Sequence, residues 1–171
     1  MKIVAVSDTH GDRQILLDIL GFEPDAAAYF YVGDSEFAAD DAVFNTYRAV
    51  RGNMDFDQGF PLSLTATIAG TTVFAAHGHR LGVNYQLDDL IAAAGAANAD
   101  IALFGHTHQL GCEMHQGMLV LNPGSISQPR GQFASLRGTY AVITVTSAAF
   151  TVTYHTRDGK AAPGLERTFT R

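Results

Sequence analysis

A chain of 171 residues, 47% hydrophobic and 16% charged, is long enough for one substantial core and too balanced for a disordered or membrane-embedded class. Its formal net charge of −6 argues against a dedicated nucleic-acid surface, and its single cysteine, Cys112, excludes an internal disulfide. No apolar run nears the roughly 20 residues of a membrane span, and "MKIVAVSDTH" turns polar too soon for a signal peptide, so no membrane contact and a cytoplasmic location are expected.

One domain over 1–171 is expected. Residues 2–6, "KIVAV", predict a short buried strand. Asp12 stands where it can cap a helix carrying Ile15, Leu16, Ile19 and Leu20 on one face. A second strand is expected over 26–32, a helix near 36–46 and a third strand near 47–51. Alternation of strand and helix implies parallel pairing with helices on the faces. Residues 62–69 and 71–76 flank Gly70 and predict a hairpin. Asn84 is placed to cap a helix with Leu87, Leu90, Ile91 and Ala94 on one face, and a strand follows over 101–104. Three more strands are expected over 117–121, 139–146 and 149–155. Residues 123–138 read as a long loop, with His115 in a turn, and 157–171 as a weakly specified polar tail. About three helices cannot cover both faces of one large sheet. The expected class is therefore α/β, a four-layer α/β/β/α sandwich of two mixed sheets flanked by helices.

The polar residues gather at the ends of five apolar runs. These ends read Ser7-Asp8-Thr9-His10-Gly11-Asp12, Gly33-Asp34, Arg51-Gly52-Asn53-Met54-Asp55, His77-Gly78-His79 and Gly105-His106-Thr107-His108. Ligands of open α/β sheets collect outside the carboxyl ends of parallel strands. In an extended segment, residues one apart point the same way, so Asp8 with His10, and His106 with His108, should each aim at a common point. Asp, Asn and neutral His suit manganese, iron or zinc, and the lack of thiolates argues against a structural zinc cage. A lone carboxylate among histidines, Asp34, could bridge two cations about 3.5–4 Å apart. Any one of these aspartates is more often a turn former or cap than a ligand; the joint pattern carries the inference. His115, His155 and Cys112 are left to structural roles.

"DTH" at 8–10, "GD" at 33–34, "GN" at 52–53, "HGH" at 77–79 and "GHTH" at 105–108, in that order, resemble the calcineurin-like metallophosphoesterase superfamily. The short chain, "HGH" and "LNPGSISQPR" at 121–130 resemble its small bacterial and archaeal phosphodiesterase branch, which is related to a retromer subunit that uses the fold as a protein-binding scaffold. The resemblance implies one divalent ion on Asp8, His10, Asp34 and His108, and another on Asp34, Asn53, His77 and His106. It implies hydrolysis of P–O bonds in a small phosphorylated substrate by a metal-bridging hydroxide, with diesters favoured. Asp8, Asp34, Asn53, His77 and His106 are then the expected catalytic set, and manganese the favoured metal, with iron, zinc or nickel as alternatives.

One departure stands out. Many members carry histidine after "GN" to protonate the leaving group; here the residue is Met54, whose thioether has no proton to give. His79 is a candidate to replace it, Arg130 a candidate phosphate contact, and Asp12 and Asp55 candidates to orient the imidazoles. Three rivals remain open. A scaffold that lost catalysis should have lost ligands, and all seven positions carry Asp, Asn or His. A nuclease is disfavoured by the acidic balance and the lack of a basic, aromatic-lined groove. A phosphomonoesterase needs a further basic pocket, which the sequence does not decide. A subunit contact through the 123–138 loop also stays open.

Overall fold

The computed structural model describes residues 1–171. Strand β1 (Lys2–Val6) sets the plan, because Ile3 and Ala5 point to one face, Val4 and Val6 to the other, and all four are fully buried. A strand buried on both faces belongs at the centre of a covered sheet. It pairs in parallel with β2 (Ala28–Tyr31), which pairs in parallel with β3 (Tyr47–Ala49). On its other side run the antiparallel strands β9 (Thr139–Val145), β10 (Ala149–Thr156) and β11 (Ala161–Thr170), giving a six-stranded sheet ordered β11-β10-β9-β1-β2-β3.

A second sheet has five strands. β5 (Thr71–Ala76), β6 (Ile101–Leu103) and β8 (Met118–Asn122) are parallel, with β4 (Ser63–Ile68) and β7 (Gly111–His115) antiparallel at the two edges. The inner faces meet through Ile3, Ala5, Phe30 and Ile143 from the first sheet and Val73, Ile101, Leu103 and Leu121 from the second. Helix α1 (Arg13–Phe22) lays Ile15, Leu16 and Ile19 on the outer face of the first sheet. Helix α2 (Asp88–Ala96) lays Leu90 and Ala94 on the outer face of the second. The layers are α/β/β/α, as the ratio of strands to helices implies. No helix is long and apolar enough to cross a membrane.

Four local expectations need correction. The helix expected near 36–46 is only a 3₁₀ turn, Ala42–Asn45. The backbone N–H groups of Glu36 and Ala39 are instead taken by the carboxylates of Asp55 and Asp57, so no helical ladder is needed. The tail is ordered as β11, because β10 offers it an open edge and sets Phe169 opposite Phe150. Gly111–His115 is a strand and not a turn. It closes a hairpin onto β8 through Gln116 and Gly117, both at positive φ, and turns Cys112 and Met114 to the core. Asn84 does not cap α2, which starts at Asp88 with Asp88 and Asp89 in its first turn.

Asp12 does cap α1, accepting from the Ile15 N–H at 3.2 Å, and it also pairs with Arg157. Burial opposes ionisation of Asp12, but Arg157 and the Ile15 N–H outweigh it, so the carboxyl titrates below its ordinary 3.8. The stabilisation is therefore complete above pH 3.8 and fades as pH falls through the lowered value. Asp12→Ala should cost about 1–2 kcal/mol in urea unfolding at neutral pH, and the gap to the parent should narrow in acid.

Candidate metal centre

The parallel strands of both sheets end on the same side. Asp8 and His10 follow β1, Asp34 follows β2, Asn53 follows β3, His77 follows β5, and His106 and His108 follow β6. Extended alternation is not what brings them together. Asp8, His10, Asp34, His106 and His108 all have left-handed backbone, with φ of 57°, 47°, 61°, 65° and 59°. Only ten non-glycine residues have positive φ, and a sixth of them, Glu36, holds His10. Such conformations cost on the order of 1 kcal/mol each, so the concentration here marks a site that the rest of the fold holds in place. Hydrogen bonds between the tips do this: Asp8 N to Gly33 O at 3.0 Å, His10 N to Asp34 O at 3.1 Å, and Gly105 N to His77 O at 3.1 Å.

Two glycines are there for close approach. A methyl group on Gly52 would overlap Asp34 Oδ1, and one on Gly105 would overlap Ser7 Oγ and crowd Asp8. The glycines of "GN" and "GHTH" thus let neighbouring loops touch the two carboxylates.

The imidazoles are oriented by groups the sequence did not single out. His77 donates from Nδ1 to the Val32 carbonyl at 2.6 Å, His108 to the Gln128 carbonyl at 2.7 Å, and His10 to Glu36 Oε1 at 2.8 Å. In each ring this leaves the Nε2 lone pair facing inward. Carbonyls leave no trace in sequence, but Glu36, two residues after Asp34, was a visible acidic candidate. Neither Asp12 nor Asp55 orients an imidazole. Asp12 belongs to the α1 cap. Asp55 accepts from the backbone N–H groups of Asp34, Ser35, Glu36 and Gly52 and from Ser35 Oγ, at 2.7–2.9 Å. It shapes the turn that presents Asp34.

Donor atoms of Asp8, His10, Asp34 and His108 lie within 4.8 Å of one another. His77 Nε2 lies 3.3 Å from Asp34 Oδ2, 3.2 Å from Asn53 Oδ1 and 4.0 Å from Asp8 Oδ1. The His106 ring sits 5.2 Å from that of His77, and its Nε2 faces the Asn84 amide at 2.9 Å. Asp8 Oδ1 and His10 Nε2 are buried without a hydrogen-bond partner. Leaving such atoms unmatched is costly, and a divalent cation is a partner for both. The residues therefore fit a metal ion.

Charge in the pocket follows from the same contacts. Burial works against ionised Asp34, but His77 and the Met54 N–H bring its carboxyl below the ordinary value. Burial likewise disfavours protonated His77 and His108, yet Asp34 and Asp8 beside His77, and Asp8 beside His108, raise both. His106 is lowered by burial and by His77. His79, 5.5 Å from His77 ring to ring, is pushed down to about 4 by burial and by His77 and His106. Arg130 lines an open cleft of about 290 Å³ together with His10, Asp34, Asn53, His106 and His108. His79 does not line this cleft.

The family model for the Calcineurin-like phosphoesterase superfamily domain matches residues 1–148. The chain belongs to the calcineurin-like phosphoesterase superfamily. Among curated members, the probable metallophosphoesterase YsnB of Bacillus subtilis is 34% identical over 131 residues, 76% of this chain and 78% of that protein. A predicted phosphoesterase of Streptococcus pneumoniae, solved by crystallography, superposes with a TM-score of 0.94 at 36% identity, covering 99% of this chain and 97% of that one. Vps29 of Entamoeba histolytica, crystallised with zinc, shares the fold at a TM-score of 0.72 and 18% identity, with 99% of each chain covered.

Asp55→Ala would strip four backbone N–H groups of their acceptor. Buried unmatched donors cost about 1–3 kcal/mol each when water cannot reach them. The variant should lose at least about 3 kcal/mol of stability by chemical denaturation, well beyond the effect of Asp12→Ala.

Proposed function

We propose that this metallophosphoesterase-family protein is a phosphodiesterase with two divalent ions, acting on a small phosphorylated substrate in the cytoplasm. The observation that carries the reading is the pair of buried, unpartnered donor atoms, Asp8 Oδ1 and His10 Nε2, beside a second cluster of His77, Asn53 and Asp34. Asp34 lies in both groups and is the residue suited to bridge two ions. Such ions supply a hydroxide at neutral pH and offset charge on the phosphoryl oxygens. The nitrogen and oxygen donor set suits manganese, iron, zinc or nickel, and manganese is taken as the favoured ion.

The chain's own groups do the rest. Asp8, His10, Asp34 and His108 would hold one ion, and Asp34, Asn53, His77 and His106 the other. With its Nε2 facing the Asn84 amide, His106 would offer the ion its other ring nitrogen. Arg130, on the cleft, is suited to a phosphoryl oxygen. His79 lies off this cleft, and burial with His77 and His106 beside it disfavours an imidazolium that could serve as proton donor. With Met54 also unable to give a proton, diesters with good leaving groups should turn over fastest. A single arginine on the cleft favours a diester over a doubly charged monoester. The Vps29 likeness leaves a binding scaffold as the second reading; the complete donor set favours catalysis.

Two measurements test this. The full chain with Mn²⁺ should cleave bis(4-nitrophenyl) phosphate, EDTA should abolish cleavage, and Asp34→Asn should lower kcat at least about a hundredfold with the circular dichroism spectrum unchanged. Undiminished cleavage in excess chelator would refute the reading. Protons compete with metal for His77 and His108, whose pKa values are raised. Bound metal, followed by elemental analysis, should therefore fall as pH drops from 8 towards 6.

A further inference from the structure

Beside the metal cleft lies a larger open cavity of about 540 Å³, and Asn53 lines both. Its character differs from that of the cleft. Two arginines, Arg51 and Arg80, face it, together with Gln58, His79 and the ring of Phe56. Arg13, Arg157 and Arg171 are ion-paired with Asp41, Asp12 and Asp100, whereas the guanidiniums of Arg51 and Arg80, like those of Arg48, Arg130 and Arg137, have neither a carboxylate nor a hydrogen-bond partner. The one acid on the cavity wall, Asp55, has its oxygens committed to backbone N–H groups. The cavity is thus net positive in a protein of net charge −6. Phe56 is 88% exposed, so its ring is open to a stacking partner.

Free guanidiniums beside an exposed aromatic face match a phosphate joined to a planar ring. We propose that this cavity binds a second phosphate and its attached base, so that the substrate is a phosphodiester carrying a phosphorylated nucleotide on one side of the scissile bond. This rests on the phosphoesterase reading of the adjoining centre. The reacting phosphoryl group sits over the donor cluster with Arg130. The appended phosphate sits one nucleotide away between Arg51 and Arg80, and its base stacks on Phe56. The cavity recognises an appended phosphate and does not hold the reacting group, so it does not make the centre a monoesterase.

The kinetic arm uses the Mn²⁺-loaded full chain with two thymidine dinucleotides, one ending in a hydroxyl and one in a 3′-phosphate. The terminal phosphate should lower KM about tenfold, and the double variant Arg51→Ala/Arg80→Ala should erase that ratio while retaining its manganese by elemental analysis. The binding arm titrates the metal-free full chain with adenosine 5′-monophosphate, ribose 5-phosphate and adenosine by calorimetry. The nucleotide should bind best. The double variant should weaken it at least tenfold, and Phe56→Ala should reduce it to the level of ribose 5-phosphate. Equal KM values for the two dinucleotides, or nucleotide binding unchanged in the double variant, would overturn the proposal. If neither dinucleotide is cleaved and no metal is retained, the phosphoesterase reading fails, and the binding arm still decides the pocket.

Discussion

Two carboxylates, Asp8 and Asp34, are buried at the seam between two sheets, and much of the surrounding structure answers the cost of burying them. A charged group removed from water is tolerated only with opposite charge and hydrogen bonds around it. Asp34 meets this with the Met54 N–H and His77. Asp8 takes the Ser7 hydroxyl on one oxygen and leaves the other without a hydrogen-bond donor, 3.3 Å from His108 Nε2. His77, His108 and His10 are tethered from behind by Val32, Gln128 and Glu36, so their free nitrogens have little freedom to turn away. A pocket assembled this way is preorganised for cations before any arrive.

Holding donors from several loops at one point requires backbone that ordinary residues avoid. The five left-handed donor positions are affordable because the inter-sheet core is rigid and the loops are cross-tied. Asp55 is the largest of these ties. One side chain fixes the turns after β2 and β3, and with them Asp34. Stability and site geometry are therefore coupled through a residue with no direct role in holding metal.

The two adjoining cavities divide the labour chemically. One carries nitrogen and oxygen donors with a single arginine; the other carries two uncommitted arginines and a bare aromatic ring. Superfamily membership speaks to the first. The second is built from residues after β3 and β5, and is where substrate choice would reside.

Sequence alone determined the layer architecture and singled out Asp8, His10, Asp34 and His108, whose donor atoms the fold brings within 4.8 Å of one another. Apolar periodicity is local, and five apolar runs ending in Asp, Asn or His beside glycine are visible without coordinates. It did not determine how those donors converge, since a left-handed φ at Asp8 or His106 is imposed by contacts with distant loops and not by the residue's own preference. Nor did it reveal the carbonyls behind the imidazoles, the true task of Asp55, or the ordered strand β11, whose partner is an edge that exists only after folding. Each depends on groups far apart in the chain, and only tertiary packing brings Arg51 and Arg80 to one wall beside Phe56.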